Sequence, residues 1–340
     1  MKNKQLFIGI DISKGTFDAA ILLQGTISPL QTKSFSNNKD GYKQLVRWIK
    51  TVSQHKHKWV FCMEHTGVYA FHLCCFLEDN NLDYCYESAL KINRSLGIIK
   101  RQKSDKADAA DIAKYLYQKR DELVFYRLPS REIQKLKALI SFRRRMLKQK
   151  VSMTISSSEI AAFSDKQTAK IIKQDSKKLI SKLEQQIEKI DTEIASLLDN
   201  APELSVKYNL VKSVVGIGPV ISAHIMARTN GFTNFKNGRE FSSYCGSAPF
   251  ERSSGTSIKK VVHISKAADK ELKSLLTNAA YVAVRYDNEI RAYFMRKIKE
   301  GKSEFCVINA IRNKLIHRVF SVVNRGTPFV KIANYSTAKN

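Results

Sequence analysis

The stretch "FIGIDISKGTFDAAI", residues 7–21, decides the fold of the first domain, because an apolar strand pattern carries an acid in its middle. Ile8 and Ile10 precede Asp11, and apolar residues resume at Phe17 after a Lys-Gly turn. This pattern predicts a β-hairpin. A carboxylate in such a hairpin costs free energy unless a metal ion, a hydrogen-bond donor or a proton compensates it. Asp11 is therefore either a strand-end acid bonded to the turn or a metal ligand.

The residues that follow the hairpin alternate between strand and helix patterns. Strands are predicted near 27–35, 59–64 and 82–88, and helices near 41–52, up to 77 and over 104–118. Several strands followed by β-α alternation predict an α/β fold in which helices pack on a mixed sheet. We assign this sheet to a first domain over 1–122.

Four acids of the first domain form an ordered set. Asp11 lies on the first strand and Glu64 ends the fourth, while Asp105 and Asp108 lie three residues apart on one helix face. Carboxylate oxygens are the ligands that Mg²⁺ prefers, so the set predicts a site for one or two divalent cations, Mg²⁺ first and Mn²⁺ as the alternative. Asp111 turns away from the Asp105 face, and we interpret it as a cap or a salt-bridge partner.

The composition points to a polyanionic partner. The 340 residues carry a formal net charge of +27, and most of the excess lies after residue 118. Nucleic acid is the first expectation, because each neutralised phosphate releases counterions. No apolar run approaches the roughly 18 residues of a membrane span, so no membrane partner is expected. The six cysteines lack a C-x-x-C pair, which predicts reduced thiols in a cytoplasmic protein and no zinc site.

A helical segment over 123–201 contains apolar residues spaced alternately three and four apart. Such a seam is typical of a coiled coil that joins copies of a chain, or of an amphipathic helix packed within its own domain. The helical stretch before the seam could supply an antiparallel partner or a second oligomer contact. The seam residues are Ile180, Leu183, Ile187, Ile190, Ile194 and Leu197. The basic run over 141–150 predicts phosphate contacts by Arg143, Arg144 and Arg145.

The last domain, predicted over 202–330 with a tail over 331–340, carries two further motifs. Gly216 and Gly218 separate two apolar helical stretches, which indicates either a phosphate-binding helix-hairpin-helix turn or simple helix packing. Ser254 precedes a glycine in a basic segment. A serine that attacks a phosphate needs nearby cations, which this segment supplies in Arg252, Lys259, Lys260 and Lys266. A flexible surface linker is the alternative.

The combined motifs resemble a known family over nearly the whole chain. The four acids in order, then GIGP at 216–219, GSAP at 246–249 and the S-G and S-K pairs that follow are similar to the DEDD-type transposases of the insertion sequence 110 family, relatives of the Piv DNA invertases. The resemblance implies a ribonuclease H-like, RuvC-like domain, a coiled-coil segment and a mainly α-helical transposase domain. It also implies that Asp11, Glu64, Asp105 and Asp108 bind the metal and that Ser254 is the nucleophile.

The same resemblance implies the partners and the reaction. Members of the family are recombinases that act on double-stranded target and donor DNA, are guided by a structured bridge RNA, and work as tetramers, a dimer of dimers, through a covalent phosphoserine.

Three other functions compete with this reading. A RuvC-like Holliday-junction nuclease would use water as the nucleophile and leave Ser254 incidental. An actin-like sugar kinase would share the opening hairpin, but the net charge and the lack of a second phosphate-binding glycine loop argue against it. A nucleic-acid-binding protein without catalysis would not need the acids and the serine.

Overall fold

A computed structural model of the chain describes residues 1, 3–65, 67–97, 105–248, 250–254, 258–263 and 268–331, with the backbone alone at 105, 250–254 and 258–263. The chain divides into two compact units, Met1–Leu128 and Pro129–Asn340.

The first unit is built on a five-stranded sheet in the order β3-β2-β1-β4-β5. β1 pairs antiparallel with β2 and parallel with β4, β2 pairs antiparallel with β3, and β4 pairs parallel with β5. The strands are β1 Leu6–Ile12, β2 Thr16–Leu23, β3 Gln31–Ser36, β4 Trp59–Glu64 and β5 Tyr84–Glu87. The predicted hairpin and the mixed sheet are confirmed.

Helices cover both faces of this sheet. They are α1 Lys39–Lys50, α2 Phe71–Asp79, α3 Ala89–Leu96 and α4 Asp105–Gln118. One face packs against α1 and α2 through Tyr42, Leu45 and Leu73, and the other packs against α3 and α4 through Ile92 and Leu116. Alternate residues of each strand thus reach two separate apolar cores, which explains why β1 and β4 are buried on both faces.

At Gly9 the backbone of α4 packs directly on the sheet. A Cβ atom at this position would lie 2.2 Å from the backbone nitrogen of Ala113 and 2.3 Å from the carbonyl oxygen of Ala109. These distances are far inside van der Waals contact, so only glycine lets the helix backbone pack this closely on β1. The glycine in the "FIGID" stretch therefore sets the distance between the strand and the helix.

The second unit begins with two long helices, α5 Arg131–Ala162 and α6 Lys166–Asp199. Ion pairs Arg143–Asp191 and Lys150–Glu184 join them as an antiparallel hairpin. In the seam, Ile187, Ile190 and Ile194 are buried within the chain. They share a core with α5 and with later helices through Ile133, Leu136, Ile140, Tyr208, Ala223 and Met226.

This packing corrects one expectation about the seam. Ile187 and Ile190 cannot join copies of the chain, because intrachain neighbours already cover them. The seam also ends one residue later than the heptad pattern predicts, since Leu198 is fully buried and Leu197 only partly. The antiparallel partner within the chain is the alternative that the structure supports for residues 187–198.

The rest of the second unit is mainly α-helical, and a two-stranded antiparallel hairpin interrupts it. Its elements are α7 Pro202–Lys212, α8 Pro219–Thr229, α9 Gly238–Tyr244, β6 Phe250–Ser254, β7 Ile258–His263, α10 Lys270–Tyr286, α11 Asn288–Lys299 and α12 Glu304–Arg325.

The glycine turn between α7 and α8 is a packing feature. Gly216 has a φ of +93°, and a Cβ on it would lie 2.4 Å from the carbonyl oxygen of Ala279 on α10. Gly218 caps the first turn of α8. The helix-packing alternative is therefore the one that the structure supports for Gly216.

All six cysteines are free thiols, as the sequence predicts. Over the residues that the structure describes, no helix combines the length and the apolar character needed to cross a membrane.

Candidate functional site

The carboxyl ends of β1 and β4 place two of the predicted metal ligands next to each other. The parallel register pairs Gly9 with Cys62 and Ile10 with Met63, so Asp11 and Glu64 follow at the same edge of the sheet. Gly9 and Cys62 face α4. Because side chains alternate along a strand, Asp11 and Glu64 point to that same side.

The helix α4 runs antiparallel to β1 across this face. Phe7 contacts Tyr117 near the end of α4, with ring centroids 5.0 Å apart, and Gly9 contacts Ala109 and Ala113 further back. Continuing this direction brings Asp11 toward the first turns of α4. That is where Asp105 and Asp108 lie.

The carboxylate oxygens of these acids suit a hard cation, but the described residues do not form a complete metal site. Asp11, Glu64 and Asp108 supply carboxylate oxygens from three elements at one edge. Within the described part of the chain, no three His, Cys, Asp or Glu residues are close enough together to hold a metal ion. The side chain of Asp105 lies outside the description, and so do residues 98–104 before it.

Two acids that sequence reasoning missed lie beside this pair. Glu87 ends β5 directly opposite Glu64, and Asp18 on β2 is opposite Asp11. Glu87 forms an ion pair with Lys91 at 3.1 Å, while Asp18 accepts a hydrogen bond from Ser34 Oγ. Strand alternation in "LDYCYES" could have identified Glu87 as a strand-end acid on the same face as Glu64.

The cysteines near the acids remain protonated. Burial raises the pKa of the Cys85 thiol to about 12, and the Glu87 carboxylate adds to the shift. Burial likewise raises the pKa of the Cys62 thiol well above its ordinary value. With these thiols protonated, the carboxylates are the groups at this edge that are already in the form that binds a metal ion.

Asp111, which the sequence assigns to a supporting role, has the expected partner. Its carboxylate lies 3.8 Å from Lys114 Nζ, one turn further along α4. The interpretation of Asp111 as a salt-bridge partner is confirmed.

Ser254 is the last residue of β6. It pairs with Ile258, and the register between the strands is irregular between Arg252 and Ser254. The structure thus places Ser254 at a strand end, whereas the sequence left a flexible surface linker as the alternative for this segment. The side chains of Ser254, Arg252, Lys259 and Lys260 lie outside the described residues, and so does the whole of Lys266.

The basic run on α5 is partly neutralised by carboxylates of the same unit. Arg143 donates to both carboxylate oxygens of Asp191, at 2.5 and 2.9 Å. Arg144 lies 3.2 Å from Glu271. Arg145 is exposed, and it forms no ion pair with the described residues. Of the three arginines, Arg145 is therefore the one most available to a phosphate.

A row of lysines on α6 was not singled out from the sequence. Its members are exposed, recur at intervals of four, three and four, and so lie on one face of the helix. They are Lys166, Lys170, Lys173 and Lys177. The spacing itself could have revealed the row, because helical periodicity applies to charges as well as to apolar residues.

His224 on α8 is a buried titratable group that lines one cavity together with Arg143 and Asp191. It is 4% exposed, and its Nδ1 atom has no hydrogen-bond partner among the residues that the structure describes. Burial lowers the pKa of the imidazole, the Glu271 carboxylate opposes this shift, and Arg228 and Arg143 add to it. The ring is therefore neutral at pH 7.

Comparison with known proteins links both units to DNA transposition. Residues 8–159 match the DEDD transposase family model of the IS110 type, and residues 208–295 match the transposase IS116/IS110/IS902 family. The chain is 28% identical to the pilin gene-inverting proteins of Moraxella bovis and Moraxella lacunata over 334 residues, which is 96% of this chain and 98% of each relative. It is also 26% identical over 138 residues to an insertion element IS110 protein of Streptomyces coelicolor, which covers 41% of this chain and 33% of that protein.

Proposed function

This chain is a transposase or DNA invertase of the IS110 family, and we propose that it cuts and rejoins DNA strands through a covalent ester between Ser254 and a DNA phosphate. The position of Ser254 carries the proposal. It ends β6, which pairs with β7, inside the segment that matches the second transposase family model. A strand end is a site where a hydroxyl group can meet a phosphate without displacing a packed core.

The proposed chemistry uses two successive transfers at phosphorus. Ser254 Oγ forms a bond to phosphorus while one P–O bond to the deoxyribose breaks, and the serine proton leaves to a base or to the departing oxygen. A DNA hydroxyl group then attacks the phosphoserine and restores the serine hydroxyl. We assign stabilisation of the developing charge to Arg252, Lys259, Lys260 and Lys266.

For the first unit, we propose a ribonuclease H-like, RuvC-like domain that binds Mg²⁺ through Asp11, Glu64, Asp105 and Asp108. Support comes from the strand order, with β1 to β3 antiparallel and β4 and β5 parallel to β1, and from acids at neighbouring parallel strand ends. A bound Mg²⁺, or Mn²⁺ in its place, would polarise a phosphoryl oxygen at this edge of the sheet.

The proposed partners are double-stranded target and donor DNA together with a structured guide RNA. The net charge of +27, the exposed Arg145 and the lysine row on α6 support a nucleic-acid partner. The row spans 11 residues, which corresponds to roughly 16 Å along a helix, enough to contact several phosphates of one backbone.

A homo-oligomer, a dimer of dimers, completes the proposal. The outer half of the α5–α6 hairpin exposes apolar side chains on both helices, and a cluster of this kind is typical of a surface that contacts a second copy. These side chains are Leu147, Val151, Ile155, Ile160, Phe163, Ile171 and Leu179.

The experiment that tests the proposed function uses a plasmid that carries the coding sequence with its native flanking DNA, and it scores rejoined junctions by amplification. We expect Ser254→Ala to abolish junctions while leaving nucleic-acid binding unchanged. The adjacent Ser253→Ala is the matched control and should rejoin DNA. Junction formation by Ser254→Ala would exclude the serine mechanism and leave a RuvC-like junction nuclease that uses water.

A further inference from the structure

Described residues on both sides of the β6–β7 hairpin are bonded to the last turn of α9. On the entry side, before β6, the carbonyl oxygen of Ser242 accepts hydrogen bonds from the backbone N–H groups of Ser247, at 2.8 Å, and Ala248, at 3.2 Å. On the exit side, after β7, the carbonyl oxygen of Tyr244 accepts from the Asp269 N–H at 3.1 Å. The carbonyl groups at the end of a short helix thus hold the chain at 247–248 and at 269, on either side of the hairpin that carries Ser254.

A half-buried chain of hydrogen bonds reinforces the entry side. Asn309 Nδ2 on α12 donates to the Ser247 carbonyl oxygen at 3.1 Å, and Asn309 Oδ1 accepts from Arg312 at 2.6 Å. The guanidinium of Arg312 also donates to Thr277 Oγ1 at 3.1 Å. Since a guanidinium can only donate, Arg312 holds the Asn309 oxygen toward itself and leaves the amide NH₂ facing Ser247.

Arg312 is unusual for a buried cation. It is 7% exposed, and within the described part of the chain its hydrogen-bond acceptors are neutral oxygens, with no carboxylate among them. A buried charge without a counter-charge costs free energy. Such a residue contributes little to stability as it stands, which indicates a role in orienting Asn309.

On the exit side, Arg228 of α8 holds the chain through a similar set of contacts. Arg228 Nε donates to Asp269 Oδ2 at 2.6 Å, and its NH2 group donates to Glu271 at 3.1 Å. The Tyr244 hydroxyl group donates to the same Asp269 oxygen at 3.2 Å. Asp269 Oδ1 accepts from the Leu272 N–H and so caps α10. Arg228 therefore fixes Asp269 at the start of α10, the first helix after β7.

We propose that Asn309 and Arg228 are positioning residues for strand cleavage, because they fix described residues on either side of the hairpin that carries Ser254, namely Ser247 before β6 and Asp269 after β7. The inference rests on the proposed function, in which Ser254 is the nucleophile. Neither residue needs to touch DNA. A misplacement of about 1 Å in a reacting group can lower a rate on the order of 100-fold, so a loosened anchor should slow cleavage without weakening DNA binding.

The decisive variant is Asn309→Asp. It supplies the carboxylate that Arg312 lacks, so the thermal stability of the full-length protein should equal or exceed that of the wild type. An ionised aspartate cannot donate to the Ser247 carbonyl oxygen, so the entry anchor is lost. We expect adduct formation at saturating DNA to fall about 10- to 100-fold while the apparent Kd for DNA stays unchanged.

Arg228→Lys tests the exit side, because lysine keeps the charge but cannot bridge Asp269 and Glu271 as a planar fork. Arg318 is the matched control in the same unit. It bridges Asp287 at 2.7 Å and Glu289 at 2.5 Å by the same kind of paired contact. We expect Arg228→Lys to lower the rate at saturating DNA and Arg318→Lys to leave it near the wild-type value.

Ser254→Ala is measured in parallel, so that the two claims can fail separately. Adduct formation by Ser254→Ala would overturn the proposed function itself. If Ser254→Ala is inactive while Asn309→Asp and Arg228→Lys match the wild-type rate, the positioning inference is wrong. It is equally wrong if Asn309→Asp loses activity only in proportion to a fall in Tm, since that result would mean a purely structural role.

Discussion

Replacing Gly9 by alanine should separate α4 from β1 and thereby disrupt the acid site. The new Cβ would lie 2.2 Å from the Ala113 nitrogen and 2.3 Å from the Ala109 oxygen, both of them backbone atoms. Backbone atoms cannot rotate aside as a flexible side chain can, so the helix itself must move. Asp105 and Asp108 lie on that helix and would move with it.

The size of the effect follows from the contact. Overpacking a core typically costs 1–3 kcal/mol, and a clash with two backbone atoms belongs at the upper end, about 3 kcal/mol. For a unit the size of Met1–Leu128, this corresponds to a fall in Tm on the order of 10 °C. Gly15→Ala is the matched control, because a Cβ at Gly15 meets no atom within 4 Å. It should leave Tm within about 2 °C of the wild type.

The assay is thermal unfolding of the full-length protein with and without Mn²⁺. A ligand at 100 times its Kd stabilises the folded state by about 2.7 kcal/mol, so the wild type and Gly15→Ala should gain several degrees in the transition of the first unit. Gly9→Ala, like Asp11→Asn, should gain little. If Gly9→Ala matched Gly15→Ala both in Tm and in the response to Mn²⁺, the argument that β1–α4 contact assembles the acids would fail.

Three further predictions concern the second unit. Replacing Ile187 by Lys should unfold the unit, because it puts a charge into an intrachain core. Replacing the exposed Leu179 by Lys should instead lower the oligomeric state in sedimentation without unfolding. An unchanged oligomer would show that the outer half of the α5–α6 hairpin is not part of the interface. Burial lowers the pKa of His224 below its ordinary value of 6.5. The stability that its neutral ring contributes is therefore present above pH 6.5 and is lost as the pH falls through the folded-state pKa. His224→Leu should flatten the acid side of the Tm profile below pH 6.5, and an unchanged slope would contradict the assignment. Changing the lysine row to glutamine should reduce the slope of log affinity against log salt by up to about 3 to 4, and an unchanged slope would mean that the row contacts no phosphate. The row consists of Lys166, Lys170, Lys173 and Lys177.

The sheet of the first unit was predictable because its evidence is local. Strands buried on both faces read as short apolar runs, and acids such as Asp11 and Glu64 interrupt or end those runs. The helix α3 was missed, since it is only eight residues long and buries a single apolar residue, Ile92. The position of α4 over Gly9 could not be derived either, because a glycine in a strand does not indicate which backbone approaches it.

The second unit shows where local patterns fail. The heptad seam correctly identified the apolar face of α6, but a seam does not specify whether its partner is another copy or the same chain. Likewise, a run of three arginines does not reveal that Arg143 pairs with Asp191, 48 residues away. The basic run alone predicted three phosphate contacts, whereas the described contacts leave Arg145 as the arginine best placed to make one.

The serine assignment depended on the family resemblance and not on local chemistry. Sequence alone left a flexible linker as the alternative for the segment around Ser254. The structure replaces that alternative with a hairpin whose register is irregular near Ser254. Irregular pairing at a strand end is common next to active sites, because it redirects a side chain that regular pairing would fix.

The most direct test of the central claim is to identify the atom that bonds to DNA. The full-length protein is purified with its co-isolated RNA and incubated with a plasmid that carries the native flanking DNA. The sample is then denatured and digested, and mass spectrometry is used to search for a nucleotide-modified peptide. The account predicts one modified peptide, with the phosphate on Ser254 and none in the Ser254→Ala protein. Cleaved or rejoined DNA with no covalently modified peptide, or with the phosphate on another residue, would contradict it.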